Sequence, residues 1–330
     1  MSDNSTIDGL VISKRIRGVL APVVTPFRAN LSPDRERFIR HCRWLLSQNS
    51  GLAPFGTTSE ANSMSTDERI SLLDALVAAG IDPSRIMPGT GCCSISETVA
   101  LTAHAVKHDC AGVLMLPPFY YKNVSEEGLY RYFSEVVQRV GDARLRIYLY
   151  HIPPVAIVGI TPRLVERLLK AYPSAIAGMK DSSGDWNNTK TFLDAFAETA
   201  PSAQTGFDVF VGSETFLLAN MRNGGVGTIS ATANVNPAAI YELYAVASAV
   251  SADVDLEPQQ ARLNVVREVF SNTKFPSMIA ALKQAIAIYA NDPEWARVRP
   301  PLVELTTAQA KLLAAELEAA GFAMNGIRRD

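Results

Sequence analysis

Short apolar runs alternate with longer helical patterns along the chain. The apolar runs are GVLAPVVTPF (18–27), GLAPFGT (51–57), RIMPGTG (85–91), GVLMLPP (112–118), RIYLYHIP (146–153), IAGMKDSS (176–183), DVFVGSE (208–214) and GVGTISAT (225–232). Most are continuous rather than alternating, as expected for parallel strands buried on both faces. Helix-start signals stand between them. Ser32-Pro33 and Thr161-Pro162 place a cap residue before a proline at the first helical position. Ser65 with Glu68, and Ser94 with Glu97, have capping-box spacing. The gap between the seventh and eighth runs leaves room for only a short helix. Eight successive βα units predict an α/β fold of the TIM (β/α)8 type rather than an open doubly wound sheet. After residue 236 the pattern is purely helical: Asn236-Pro237 starts one helix, and further segments cover about 257–270, 276–290 and 306–321. The expected organisation is an N-terminal arm (1–15), a barrel (16–236) and a C-terminal helical region packed on it (237–330).

Composition narrows the function classes. The chain has 330 residues, is 48% hydrophobic and 19% charged, and carries a formal charge of −2. That is apolar material for a large core, and the near-neutral balance argues against a nucleic-acid or anionic-membrane partner. The N-terminus has no apolar core of a secretory signal, and no apolar stretch reaches the ~18 residues of a membrane span. A cytoplasmic location is the expectation. Cys42, Cys92, Cys93 and Cys110 lack zinc-ligand spacing and are read as reduced structural residues. No G-x-G-x-x-G fingerprint follows a strand, and no H-E-x-x-H pair occurs among the four histidines.

In such a barrel the reactive side chains stand at the C-terminal ends of strands. That rule selects Gly56 to Glu60, Tyr120 and Tyr121, Tyr150, Lys180, Glu214, and Ile229 to Thr232. Lys180 follows an otherwise apolar run. It is either a strand-end lysine reaching solvent or a desolvated amine able to attack a carbonyl and form a Schiff base. Tyr150, on the preceding strand, is either a core tyrosine or the hydroxyl that shuttles protons for that chemistry. Thr57 and Thr58 form either a polar turn or a set of hydroxyl and N–H donors for a carboxylate.

Together these residues resemble the dihydrodipicolinate synthase / N-acetylneuraminate lyase family of class I Schiff-base aldolases. The likeness runs from about residue 16 to about 290. It is carried by GTTSE (56–60), PPFYYKNVSEEGLYRYF (117–133), YLYHIPP (148–154), GMKDSSGD (178–185) and GTISATANV (227–235). The resemblance implies a metal-independent lyase with no cofactor beyond a covalent imine on Lys180. Its substrate would be pyruvate or a related 2-oxo acid, in aldol cleavage, addition or dehydration. Tyr150 would move protons, and Thr57 would link it to Tyr121. The second tyrosine of the pair would reach into a neighbouring subunit's site, which implies a homotetramer built as a dimer of dimers. Thr58 would hold the substrate carboxylate and the Ile229 main chain would line the pocket. Ser182, Gly212, Ser213 and Glu214 would meet substrate hydroxyls.

Three positions depart from the family pattern. Val155 stands where dihydrodipicolinate synthases carry an arginine for the carboxylate of aspartate semialdehyde, and valine supplies no such clamp. This favours a hydroxylated 2-keto-3-deoxy sugar acid as substrate, with dihydrodipicolinate synthase as the alternative. His151 replaces an asparagine and is either a substrate contact or a hydrogen-bonded wall residue. Ser59 replaces a glycine. Glu214 is either a hydroxyl acceptor or a helix-start carboxylate. A ligand sensor on a retired barrel would show erosion of the reactive set, whereas Lys180, Tyr150, Thr57, Thr58 and Tyr121 are all present.

Overall fold

A computed structural model describes residues 6–7, 10–11, 15–197, 206–249, 254–271 and 273–328. Most of the expected N-terminal arm lies outside these residues. What is described there is a two-residue antiparallel ladder of β1 (Thr6–Ile7) with β2 (Leu10–Val11).

The body follows in βα order. It runs β3 (Gly18–Ala21), α1 (Arg35–Ser47), β4 (Gly51–Leu52), α2 (Thr66–Ala78), α3 (Ile95–Lys107), β5 (Val113–Met115), α4 (Glu126–Val140), β6 (Ile147–His151), the single turn α5 (Pro153–Ala156), α6 (Pro162–Ala171), β7 (Ile176–Asp181), α7 (Trp186–Phe196), β8 (Asp208–Val211), the short α8 (Leu217–Arg222) and β9 (Gly227–Ile229). Seven strands form one parallel sheet in the order β4-β3-β9-β8-β7-β6-β5. It is a curled, TIM-barrel-like α/β sheet with helices outside.

The expected third strand is the main difference. Run 85–91 makes isolated bridges, Ile86 with Leu52 and Gly89 with Leu114, rather than a continuous ladder. Its amides still reach both edges of the sheet. Met87 N–H donates to Leu52 O (2.8 Å) and Gly89 N–H to Pro54 O (2.7 Å), while Leu114 N–H donates to Pro88 O (2.9 Å). Pro88 has no N–H to give, which breaks the ladder at its centre. Gly89 is required for the approach: a Cβ there would stand 2.2 Å from Phe55 O.

Strand parity sorts the side chains into two clusters. Leu20, Met87, Leu114, Tyr148, Tyr150, Phe210 and Ile229 pack inside the curl. Val19, Leu149, Ile176 and Met179 face outward against Phe38, Leu76, Phe133 and Leu168 of the helices. At the strand N-terminal end Asp208 accepts from Tyr148 Oη (3.3 Å) and pairs with Arg15 and Arg17. Burial pushes this carboxyl up, against the lowering effect of the two arginines.

The caps mostly follow the sequence. Thr161 accepts from Leu164 N–H ahead of α6, and Ser65 and Glu68 form a complete capping box. The first helix differs. Asp34, not Ser32, is its cap and accepts from Arg37 N–H, because Pro33 is held in a bridge to Phe27. The helical region comprises α9 (Pro237–Ala249), α10 (Glu257–Ser271), α11 (Met278–Ala290) and α12 (Thr307–Ala319). It is tied to the sheet side by Asp292, which takes two hydrogen bonds from Arg37, and by Trp44 Nε1–H donating to Asn325 O. No described helix is long and apolar enough to cross a membrane.

His41 on α1 is fully buried between Trp44 and Trp295, with Nε2 3.3 Å from Asn234 Oδ1. Burial pushes its pKa down to about 4 from an ordinary 6.5. Between those values the unfolded chain binds the extra proton and the folded chain does not, so stability falls as pH falls through this window. At about 1.4 kcal/mol per unit the loss is roughly 3 kcal/mol. Denaturant unfolding across that window should show this slope, and His41→Gln should flatten it. An unchanged slope in the variant would place the acid sensitivity elsewhere.

Candidate active site

β6 and β7 are adjacent parallel strands, and their register sets Tyr150 opposite Lys180. Both side chains point inside the curl and are 4% exposed. Lys180 Nζ donates to Tyr150 Oη at 3.4 Å and lies 4.4 Å from the centroid of the same ring. Tyr150 Oη is 3.4 Å from Thr57 Oγ1. An amine, a phenol and a hydroxyl thus stand in file. At 3.4 Å both contacts are long for hydrogen bonds.

Thr57 is delivered by the loop that follows β4. Gly56 N–H donates to Ser59 Oγ (3.3 Å), and Thr25 Oγ1 donates to Ser59 O (2.7 Å). Ser59 in place of glycine therefore closes the loop on itself. Glu60 ends the loop in the left-handed region, φ 58°. Its carboxylate accepts from Lys283 Nζ (2.7 Å) and Arg299 N–H (2.8 Å), and the Glu60 and Lys283 side chains are fully buried. Desolvation pushes the Lys283 amine down to about 8, against the opposing pull of Glu60. Half-buried Thr58 sits in the same loop, and buried Ile229 ends β9 on the inner face.

Beside Lys180, Ser182 N–H donates to His151 O (2.7 Å) and Gly212 N–H to Asp181 O (2.7 Å). A Cβ on Gly212 would meet Ser182 Oγ at 1.9 Å and Ser182 Cβ at 2.8 Å, so a larger residue there would displace the Ser182 side chain. Ser213 Oγ accepts from Thr215 N–H and caps the turn at 214–216.

Two expected substrate contacts, Glu214 and His151, are engaged elsewhere. Glu214 is 1% exposed, and its two carboxylate oxygens accept from Thr232 Oγ1 and Ser230 Oγ, with Arg267 Nη1 at 3.4 Å. It is spent inside the fold rather than offered to substrate hydroxyls. His151 lies on the helix-facing side of β6, because strand parity sets it opposite to Tyr150. Its Nδ1 accepts from Ile160 N–H (2.9 Å), its ring packs on Phe192, and burial holds it below its ordinary pKa. It is a wall residue, not a pocket contact. Tyr121 does not join Thr57 within the chain. It is 74% exposed, edge-on to an equally exposed Tyr120.

The profile described as the Dihydrodipicolinate synthetase family matches residues 15–320. The chain belongs to that family. An uncharacterized DapA-like lyase of Chloroflexus aurantiacus is 32% identical over 304 residues, covering 92% of this chain and 96% of that protein. The 4-hydroxy-tetrahydrodipicolinate synthase of Thermus thermophilus is 36% identical over 222 residues, 67% of this chain and 70% of that one. Among solved structures, dihydrodipicolinate synthase from Agrobacterium tumefaciens matches with a TM-score of 0.80 at 32% identity, covering 92% of this chain and 99% of that one.

In this dihydrodipicolinate synthetase family chain the residues that brace the site carry only a weak sequence signal. Glu60 entered only as the last letter of a loop motif. The available signal was Lys283, a single charge in the apolar helix MIAALKQAIAIYA. A lysine so placed needs a buried partner. Asn234 is a second brace: it accepts from Val24 N–H and donates to Pro22 O, tying the ends of β3 and β9 together.

The Glu60–Lys283 pair sets a prediction. Removing one partner of a buried pair leaves a lone buried charge and costs about 3–5 kcal/mol, whereas replacing both is far milder. Glu60→Gln and Lys283→Met should each lower stability by about that much, and the double variant should recover most of it. Additive losses in denaturant melts would show that the two side chains act separately.

Proposed function

We propose that this protein is a lyase that forms an imine between Lys180 Nζ and pyruvate or a related 2-oxo acid. The file Lys180–Tyr150–Thr57 carries this reading. The amine adds to the keto carbon and water leaves, giving a protonated imine. When the C3–C4 bond of a 4-hydroxy-2-oxo acid breaks, its electron pair flows into the imine and gives an enamine. The C4 hydroxyl loses its proton and departs as an aldehyde. Tyr150 Oη moves protons at the carbinolamine and C4 oxygens, with Thr57 Oγ1 as the next hydroxyl. Protonation of the enamine and hydrolysis return the amine and release pyruvate. The reverse order is an aldol addition; if the intact imine instead loses a C3 proton, the resulting enamine expels the C4 hydroxyl, which leaves as water, and the outcome is a dehydration. The chemistry uses the protein's own amine and calls for no further cofactor.

The preferred substrate is a 2-keto-3-deoxy sugar acid. Val155, 60% exposed after β6, offers no charge to a second carboxylate, and the Thr57, Thr58 and Ser182 hydroxyls suit a polyhydroxylated chain. Condensation of pyruvate with aspartate semialdehyde is the second reading, favoured by the relatives named 4-hydroxy-tetrahydrodipicolinate synthase. We further propose a cytoplasmic homotetramer in which run 85–91 serves as third strand of a closed (β/α)8 barrel. In it, exposed Tyr121 completes the relay of a neighbouring subunit.

Borohydride reduction in the presence of pyruvate should add one reduced pyruvyl group to Lys180, read by intact mass and peptide mapping. Lys180→Ala should abolish the adduct. Tyr150→Phe should lower turnover by about 10²–10⁴-fold, the usual size of a lost general acid–base group. An unlabelled Lys180 in folded protein would refute the imine. Robust turnover of pyruvate with aspartate semialdehyde would replace the sugar-acid reading with the second one.

A further inference from the structure

We propose that Asp74, His104 and His108 form a divalent-metal site on the outer wall of the fold, distinct from the Lys180 site. His104 and His108 are one helical turn apart at the end of α3, which sets both imidazoles on one face. Asp74 faces them from α2. His104 Nε2 lies 2.8 Å and His108 Nε2 2.7 Å from the same oxygen, Asp74 Oδ1. All three ligand atoms fall within 4.8 Å of one another. The imidazole rings stand edge to face at 4.7 Å, so their nitrogens converge rather than stack.

The donor set selects the metal. Two imidazoles and one carboxylate suit a borderline cation such as Zn²⁺ or Co²⁺, with water in a fourth position. Bonds of about 2.0–2.1 Å in a tetrahedron need ligand atoms roughly 3.3 Å apart, so Asp74 must draw back by about half an ångström. The Asp74 side chain is 49% exposed, and those of His104 and His108 are 18% and 22%. They are accessible to an ion and have room to adjust.

The position argues for a structural ion. Asp74 lies roughly 12 Å along α2 from its first residue, at 1.5 Å per residue, whereas the catalytic loop 56–60 precedes that first residue. The ion would clamp α2 to α3 at the ends remote from the strand C-termini. It would stabilise the folded chain, since a ligand that binds only the folded state raises its unfolding temperature.

The test uses chelator-stripped, tag-free full-length chain with Zn²⁺ for calorimetry and Co²⁺ for spectroscopy. The expected result is one equivalent of Zn²⁺ per chain, a tetrahedral Co²⁺ absorption band and a raised unfolding temperature. His104→Asn and His108→Asn should each weaken binding beyond the roughly 10–100-fold typical of lost outer partners. They should leave metal-free unfolding and pyruvate trapping close to the parent. No stoichiometric binding would overturn the site. So would binding that persists in both histidine variants, or that is lost instead in Cys93→Ser, since Cys93 is exposed.

Discussion

The ion pair between Glu60 and Lys283 is the constraint on which the site rests. A carboxylate and an ammonium are both removed from water, which is tolerable only with close pairing and further hydrogen bonds. Both conditions are met, because Arg299 N–H supplies the second donor to Glu60. The consequence is mechanical. Glu60 is held with positive φ at the end of the 56–60 loop, and that loop sets the Thr57 hydroxyl beside Tyr150. The C-terminal helical region thereby braces the loop of the candidate site. Its α11 contributes the lysine, and the segment after it contributes Arg299, whose guanidinium also grips Glu68 at the start of α2.

The second constraint is register. Parallel pairing of β6 with β7 puts Tyr150 level with Lys180, and strand parity turns both inward. A shift of one residue would bring His151 and Asp181 inside and put the reactive pair outside. Close approaches around them leave little slack for such a shift. A Cβ on Gly178 would stand 2.2 Å from Asp208 O, so glycine allows β7 and β8 to meet at their start. Asp208, with Arg15 and Tyr148, then closes that end.

Much of this was legible in the residues. Continuous apolar runs marked seven of the eight expected strands, and cap residues placed α2, α6 and α9 within a residue or two. Strand-end position left Lys180 and Tyr150 open between structural and reactive readings, and only the motif resemblance singled them out. Two kinds of feature were not legible. The third run has the composition of its neighbours, yet Pro88 reduces it to isolated bridges, a hydrogen-bond effect that hydropathy does not carry. The partners of buried charges lie far away in sequence: Glu60 and Lys283 are 223 residues apart, and Glu214 and Arg267 are 53 apart. Local pattern cannot pair such groups. Local pattern leaves Glu214 open between a substrate contact and a helix-start carboxylate, whereas its oxygens are taken by Ser230 and Thr232.

The fate of the carboxylates bears on how the amine works. A carboxylate in contact with Lys180 would hold its Nζ in an ion pair. Asp181 is the adjacent residue, but parity sends it to the other face, where it accepts from Ser183 N–H, Ser183 Oγ and Thr189 Oγ1. Glu60 is neutralised by Lys283, and Glu214 is held by two hydroxyls and an arginine. Lys180 is left against the face and hydroxyl of Tyr150. That tyrosine offers a weak attraction to the cation and a group able to exchange protons with it. The arrangement of acids around the strand ends is thus a statement about the lysine. Asp181, Glu60 and Glu214 are each engaged by other groups, so Lys180 Nζ meets the Tyr150 hydroxyl rather than one of these carboxylates.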